Sequence, residues 1–271
     1  KIAIAKELEN KKVKTIIVNV DDKEAEKFLA LNIQNKIPYS LDDTTAVKAD
    51  TQGSSFQIGK LVIHSKLPGI FNVYNMLGAI AYAKFIGISD EKIKKSLEKI
   101  SFVRGRMEKI NEGQNFDVVV DYAHTPDSLK VVYETYNSHK KICILGNTGG
   151  GRDKWKREEM GKIADKYCDQ ILLTNEDPYD EDPEKIVEDV RRGIKKKPCE
   201  IIMDRREAIN SAISLAKEWQ TRNQNFANKK IAVLITGKGT DPYIMGPNGS
   251  KQEWDDATVA REELNKLRAR S

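Results

Sequence analysis

The rhythm of apolar and polar positions changes near residue 104. Upstream of it the elements are mixed. TIIVNV (15–20) is apolar, β-branched and followed by aspartate, which predicts a strand. KEAEKFLALNI has helical spacing, with Ala25, Phe28, Leu29 and Leu31 on one side. After Pro38, KADTQGSSFQIG and KLVIHSK alternate in short runs and predict a hairpin broken at Gly53-Ser54. FNVYNMLGAIAYAKFIGI (71–88) predicts a strongly apolar helix. SDEKIKKSLEKI predicts another, opened by a Ser N-cap.

Downstream, DVVVDY, KICILG, QILLTN, EIIM and KIAVLITG are short apolar runs. Amphipathic stretches near 126–137, 156–167, 183–195 and 205–219 separate them. Strands alternating with helices predict an α/β domain with a mostly parallel sheet covered on both faces. Such sheets bind ligands outside the carboxyl ends of their strands. Those ends read DYAHTPD, GNTGGGRDKWKR, TNEDPYDEDP, MDRRE and TGKGTDPY, and their clustering on one edge favours a site over merely exposed loops. The expected division is 1–103 and 104–271.

Composition narrows the class. The chain has 271 residues, 39% hydrophobic and 32% charged, as in a folded soluble protein rather than a disordered one. No apolar run reaches the roughly 18 residues of a membrane span, and no signal-peptide pattern opens the chain, which lacks an initiator Met. A net charge of +5, with Lys and Glu mixed along the helices, describes a solvated surface and not a nucleic-acid stripe. Cys143, Cys168 and Cys199 are far apart in sequence and form no CxxC pair. Zinc is therefore not expected, the natural compartment is a reducing cytoplasm, and Cys143 reads as a core residue. His64 reads as a surface or hydrogen-bonded histidine.

The strand ends carry the chemistry. In GNTGGGRDKWKR, glycines can bring backbone N–H groups close to an anion at a helix start, or they form a plain flexible loop. The spacing matches neither GxxxxGK[ST] nor GxGxxG, which also argues against a dinucleotide-dependent dehydrogenase. Arg152 could grip a carboxylate with its fork; Lys154, Lys156 and Arg157 would be looser charges there, or surface residues on a helix start, which is the preferred reading for Lys156. The acids of TNEDPYDEDP admit a metal site, recognition of a cation, or plain helix N-terminal charge. The last covers Asp180, Glu181 and Asp182 better than Glu176 and Asp177, which sit at the strand end. Asp241 could cap a turn or bind an amine. Arg106, in GRMEK, could be a hinge residue that reaches an anion, or a surface Arg.

Taken together, FNVYN, GRMEK, VVVDYAHTPDSL, GGGRDKWKR, the DP-containing strand end and GKG resemble the Mur ligase family. Its members are ATP-dependent enzymes that add amino acids to the peptidoglycan precursor. The resemblance is to those adding the third residue; the folate-adding ligases share the GR and D-x-A-H elements and are the milder alternative. It implies part of a central ATPase domain followed by a Rossmann-like C-terminal domain. It also implies ATP and Mg2+ as cofactors, and UDP-MurNAc-dipeptide and a diamino acid as substrates, in a cytoplasmic monomer.

Residue by residue, the resemblance assigns adenine contacts to Asn72 and Asn75; a helix N-cap is the plainer reading of Asn72 and could hold alongside that role. Asp121 would hold the ribose hydroxyls. Tyr122 and His124 would line the nucleotide side, His124 alternatively capping the next helix, and Arg106 would reach the terminal phosphate. Arg152, Glu176, Asp177, Tyr179, Gly237 and Asp241 would surround the incoming amino acid.

Three departures stand out. The family's G-x-x-G-K-[ST]-[ST] loop is absent, as are its downstream Glu and His magnesium ligands, so no metal ligand is expected in this chain. The reading is therefore of a fragment that starts midway through the ATPase domain and is inactive by itself. The D-N-P-R of diaminopimelate-adding members reads Glu176-Asp177-Pro178-Tyr179, and GKGHE ends in Thr240-Asp241. Losing that Arg suggests a diamino acid without a second carboxylate, such as lysine or ornithine. A binding module that holds a nucleotide or amino acid without chemistry is the reading from another class.

Overall fold

The computed structural model describes residues 1–11, 14–222 and 229–269. It divides into two compact units, Lys1–Ser101 and Phe102–Ser271.

The first unit opens with α1 (Ile2–Lys6), β1 (Thr15–Asn19), α2 (Ala25–Leu29) and β2 (Asn35–Tyr39). β1 and β2 pair in parallel, with Ile17 opposite Ile37. Next come β3 (Thr45–Ala49), β4 (Ser54–Ile58) and β5 (Leu61–Ser65), an antiparallel sheet in that order. The expected single hairpin is thus three strands: the break at 50–53 joins β3 to β4, and Gly59-Lys60 turns β4 into β5. Phe56 and Ile63 point from this sheet onto Val73, Met76, Leu77 and Ile80 of α3 (Ile70–Phe85) and Ile93 of α4 (Asp90–Lys99). His64 lies on the exposed face of β5, where its backbone N–H donates to Glu98.

The second unit alternates as its pattern predicts. β6 (Glu108–Ile110) and β7 (Asp117–Asp121) lead to α5 (Pro126–Thr135), β8 (Lys140–Leu145), α6 (Trp155–Tyr167) and β9 (Gln170–Leu173). Then follow α7 (Pro183–Arg191), β10 (Cys199–Ile201), α8 (Arg205–Thr221) and β11 (Ile231–Thr236). A short hairpin, β12 (Tyr243–Met245) with β13 (Lys251–Glu253), precedes α9 (Asp256–Ala269). The main sheet runs β10-β9-β8-β11-β7-β6. β7 to β11 are all parallel, and only β6 at the edge is antiparallel. Val233 of β11 stands between Val118 of β7 and Ile142 of β8, at the centre of the core. Because these strands share one direction, their carboxyl ends form a single rim.

One expectation about cysteine fails. Cys143 is a core residue, as read, but it is bonded to Cys168, with Cα atoms 6.1 Å apart. Sequence spacing hides this pair: α6 carries the chain back across the sheet, so Cys168 arrives beside β8 just before β9 begins. No helix among the described residues is long and apolar enough to cross a membrane.

Candidate functional site

The rim is assembled loop by loop. At the end of β7, Asp121 is 6% exposed. Its Oδ2 accepts the N–H of Met107 at 2.8 Å and its Oδ1 that of Ala123 at 2.7 Å. Burial raises its pKa to about 6, against the pull of those two bonds and of Arg106. The carboxyl therefore fastens the Met107 and Ala123 turns to the strand end, whatever else it binds. Arg106 is exposed and lies over the Tyr122 ring, 4.9 Å from its centre. Tyr122 in turn meets His124 edge-on, and His124 Nδ1 lies 2.8 Å from the Tyr122 carbonyl. His124 does not cap α5. Thr125 does, accepting from Ser128 N–H in a reciprocal capping box ahead of Pro126.

The loop after β8 is held from below. Thr148 donates to Glu176 Oε1 at 2.7 Å. A side chain at Gly149 would meet the Pro178 carbonyl at 2.2 Å, so the glycines here permit loop-on-loop packing. Arg152 and Lys154 are exposed, but Lys156 and Arg157 are buried, so the surface reading preferred for Lys156 fails. Both lie on the inward face of the first turn of α6, whose Trp155 is exposed. Lys156 Nζ donates to the His124 carbonyl at 3.1 Å, and burial pushes its pKa down. Arg157 pairs with Glu181 and Asp189 across to α7.

After β9, Glu176 is buried. Its Oε2 has no hydrogen-bond partner among the described residues, and burial pushes its pKa up. Asp177 is already engaged: Lys238 Nζ donates to both its oxygens at 2.9 Å, and Met245 N–H donates to Oδ1. Asp241 is the other acid on Lys238, at 3.2 Å. Tyr179 adopts φ 51°, its N–H donating to the Met245 carbonyl. Asp182 caps α7, Glu181 takes Lys154 and Arg157, and Asp180 accepts the Asn248 N–H. Gly237, at the end of β11, lies directly against Glu176.

Asp121, the glycine-rich loop, Glu176 and Gly237 thus share one rim. Asn72 and Asn75 belong to the first unit. There Asn75 Nδ2 donates to Asn72 Oδ1 at 3.2 Å, and Asn72 Nδ2 donates to the Pro68 carbonyl. Asn72 is not an N-cap, because α3 starts earlier and Gly69 takes that position. Sequence reasoning missed Lys238, Lys156, Thr148 and Arg205. Lys238 and Arg205 stood in strand-end segments already singled out, but nothing local says that they are buried. Among the described residues no group of three or more His, Cys, Asp or Glu could hold a metal ion. These residues alone do not fit a magnesium cage.

Comparison with known proteins gives a consistent answer. Residues 1–83 match the Mur ligase middle domain, and residues 105–239 match the Mur ligase glutamate ligase domain. A UDP-N-acetylmuramoyl-L-alanyl-D-glutamate–2,6-diaminopimelate ligase of Syntrophomonas wolfei is 36% identical over 97% of this chain and 54% of its own length. The chain spans about half the length of the curated relatives it matches. A solved structure of a ligase of the same name is 30% identical, with a TM-score of 0.56 over 98% of this chain and 56% of that one. A folylpolyglutamate synthase of Mycobacterium tuberculosis reaches a TM-score of 0.67 at 17% identity, over 98% of this chain and 58% of its own, a likeness of fold alone.

Proposed function

The chain belongs to the Mur ligase family, and from that premise we propose that it forms part of an ATP-dependent, amide-forming ligase of peptidoglycan precursor synthesis. The acceptor is UDP-MurNAc-L-Ala-D-Glu and the incoming group a diamino acid. ATP, bound with Mg2+, supplies the phosphoryl group that turns the acceptor carboxylate into an acyl phosphate, which the amine displaces.

The observation that carries this reading is the shared rim: four of the five parallel strands deliver Asp121, the glycine-rich loop, Glu176 and Gly237 to one edge. Within the second unit, Asp121, Tyr122 and His124 serve a nucleotide; within the first, Asn72 and Asn75 carry the amides suited to an adenine. Arg106, exposed on Tyr122, is free to swing to a terminal phosphate, where a guanidinium offsets developing charge. Arg152 takes the carboxylate of the amino acid, near Tyr179, Gly237 and Asp241. Glu176 and Asp177 support that pocket from beneath, because both carboxyls are buried. The protein works as a monomer in the cytoplasm, where ATP and nucleotide-linked precursors are found and where a disulfide persists only if its sulfurs are shut away from thiol reductants.

The charge at the pocket favours lysine or ornithine. Asp177 and Asp241 gather around Lys238, and Glu176 adds a third carboxyl beside Gly237. A second substrate carboxylate would find Tyr179 where relatives of the diaminopimelate type carry Arg. The test joins the chain to the phosphate-loop half of a relative and follows tripeptide formation with an amino-acid panel. Product with lysine or ornithine is expected. Preference for diaminopimelate would overturn the side-chain assignment, and absence of any product would overturn the ligase reading.

Taken by itself, the chain is expected to form no amide; detectable amide from it alone would refute that expectation.

A further inference from the structure

We propose that the Cys143–Cys168 bond is a covalent staple of the site-bearing β8–α6 unit, made as the chain folds and closed to reductant afterwards. Both residues are 0% exposed. Cys143 lies within β8, which is flanked by β11 and β9. Cys168 follows the last turn of α6, its N–H donating to the Ala164 carbonyl. The two are 25 residues apart in sequence. The ring they close contains the whole glycine-rich loop, Thr148, Arg152, Lys156 and Arg157.

The placement complements the polar ties. At its first turn α6 is fixed by Lys156 to the His124 carbonyl and by Arg157 to Glu181 and Asp189. At its other end Asp165 accepts the backbone N–H groups of Lys196 and Lys197, Tyr167 donates to Glu134 of α5, and the staple adds a direct covalent tie to the sheet. A cross-link of this span removes loop-closure entropy from the unfolded chain. The helix that presents Lys156 and Arg157 is thereby pinned at both ends.

The chemistry is thiol–disulfide exchange with a small-molecule disulfide as oxidant. The thiolate of one cysteine attacks the oxidant and expels a thiol, leaving a mixed disulfide. The thiolate of the other then attacks this sulfur, forming the S–S bond and expelling the second thiol. Two cysteine protons and two electrons leave, and the oxidant becomes two thiols. Exchange needs access, which neither sulfur has once α6 is docked, so the redox state is fixed before docking. The third cysteine, Cys199, is free and half-buried, on the edge strand β10. Burial pushes its thiol up to about 11, which keeps it protonated and out of the exchange at neutral pH.

The test refolds the full chain in a buffer of oxidised and reduced glutathione, then counts thiols with a chromogenic disulfide. Denatured without reductant, the protein should show one thiol, and none in the Cys199→Ser variant. After incubation of the native protein with dithiothreitol the count should still be one; incubated denatured, it should be three. Melting of the stapled protein should fall by several degrees when the bond is reduced in denaturant and the thiols are alkylated before refolding. Three thiols in the refolded protein denatured without reductant would overturn the proposal. So would loss of the bond from the native protein as fast as from the denatured one. Both readouts use the unmodified chain, so they hold even if Cys143→Ala or Cys168→Ala fails to fold.

Discussion

Gly237 and Glu176 are in van der Waals contact in a way only glycine allows: a Cβ on Gly237 would stand 2.2 Å from Glu176 Oε2. Gly237 also has φ +104°, where a side chain is strained whatever the space. Gly237→Ala should therefore cost about 2–3 kcal/mol. It should also dislodge Glu176 and with it the bond to Thr148. Adding Glu176→Asp, which withdraws the carboxyl, should recover part of the loss, a non-additivity expected of touching residues. Urea titrations of the two single variants and the double variant measure this. Strict additivity would mean that the contact is not where the strain lies.

Lys238 and Asp177 form an enclosed ion pair at the rim, with the lysine 1% exposed. Lys238→Met leaves Asp177 with a backbone N–H and no cation, and should cost about 3–5 kcal/mol. Lys238→Met with Asp177→Asn should cost clearly less than Lys238→Met alone, because no buried charge is then left unpaired. The same denaturant midpoints decide it, and a double variant as unstable as the single one would contradict the pairing.

Asp121 predicts a pH dependence of definite sign. Its folded pKa, about 6, lies above its ordinary 3.8, so between those values the folded state binds the proton more tightly. Stability from this group is complete below about pH 4 and is lost as pH rises through about 6. A shift of two units corresponds to on the order of 3 kcal/mol. Carboxylates such as Asp165 and Glu181, lowered by their partners, act in the opposite direction. The informative quantity is therefore the melting difference between Asp121→Asn and the unmodified protein. That difference should move in favour of the variant as pH goes from 4 to 6.5. A difference flat in pH would show that Asp121 titrates normally.

Much of this architecture was legible in the letters, for a physical reason. Buried parallel strands must be continuous apolar runs, so VVVD, KICIL and IAVLIT announce themselves, and Pro126 and Pro183 mark helix starts by their fixed φ. The rim followed from the strand direction alone. Burial of charged residues was not legible. Lys156 and Lys154 look alike in GRDKWKR, yet the α6 first turn points one inward and the other to solvent. Asp177 reads as a free acid until the fold sets Lys238 of another strand end beside it. Cys143 and Cys168 meet only through the β8–α6–β9 crossover. Each of these depends on a contact between residues far apart in sequence.

Arg205, passed over in MDRRE, supplies the last prediction. It is 2% exposed, and Asp256, at the start of α9, is fully buried. Nε and Nη2 of the guanidinium donate to the two oxygens of Asp256 at 2.8 and 2.7 Å, and Nη2 also reaches the Thr236 carbonyl at 2.9 Å. Trp254 Nε1 donates to the same Asp256. Nη1 lies 3.4 Å from the Asn175 carbonyl, one residue before Glu176. One planar cation thus joins α8 and α9 to the ends of β9 and β11. Arg205→Lys retains the charge but has no fork, so it cannot satisfy Asp256 and both carbonyls at once. It should lose stability by about 2–4 kcal/mol, approaching Arg205→Met, which strands a buried carboxylate. Because the network ends at Asn175, binding of an amino acid at the rim should weaken in Arg205→Lys even under conditions where the variant is fully folded. Calorimetric titration at a temperature well below melting separates the two effects. Unchanged affinity in a destabilised but folded variant would confine Arg205 to holding the helices.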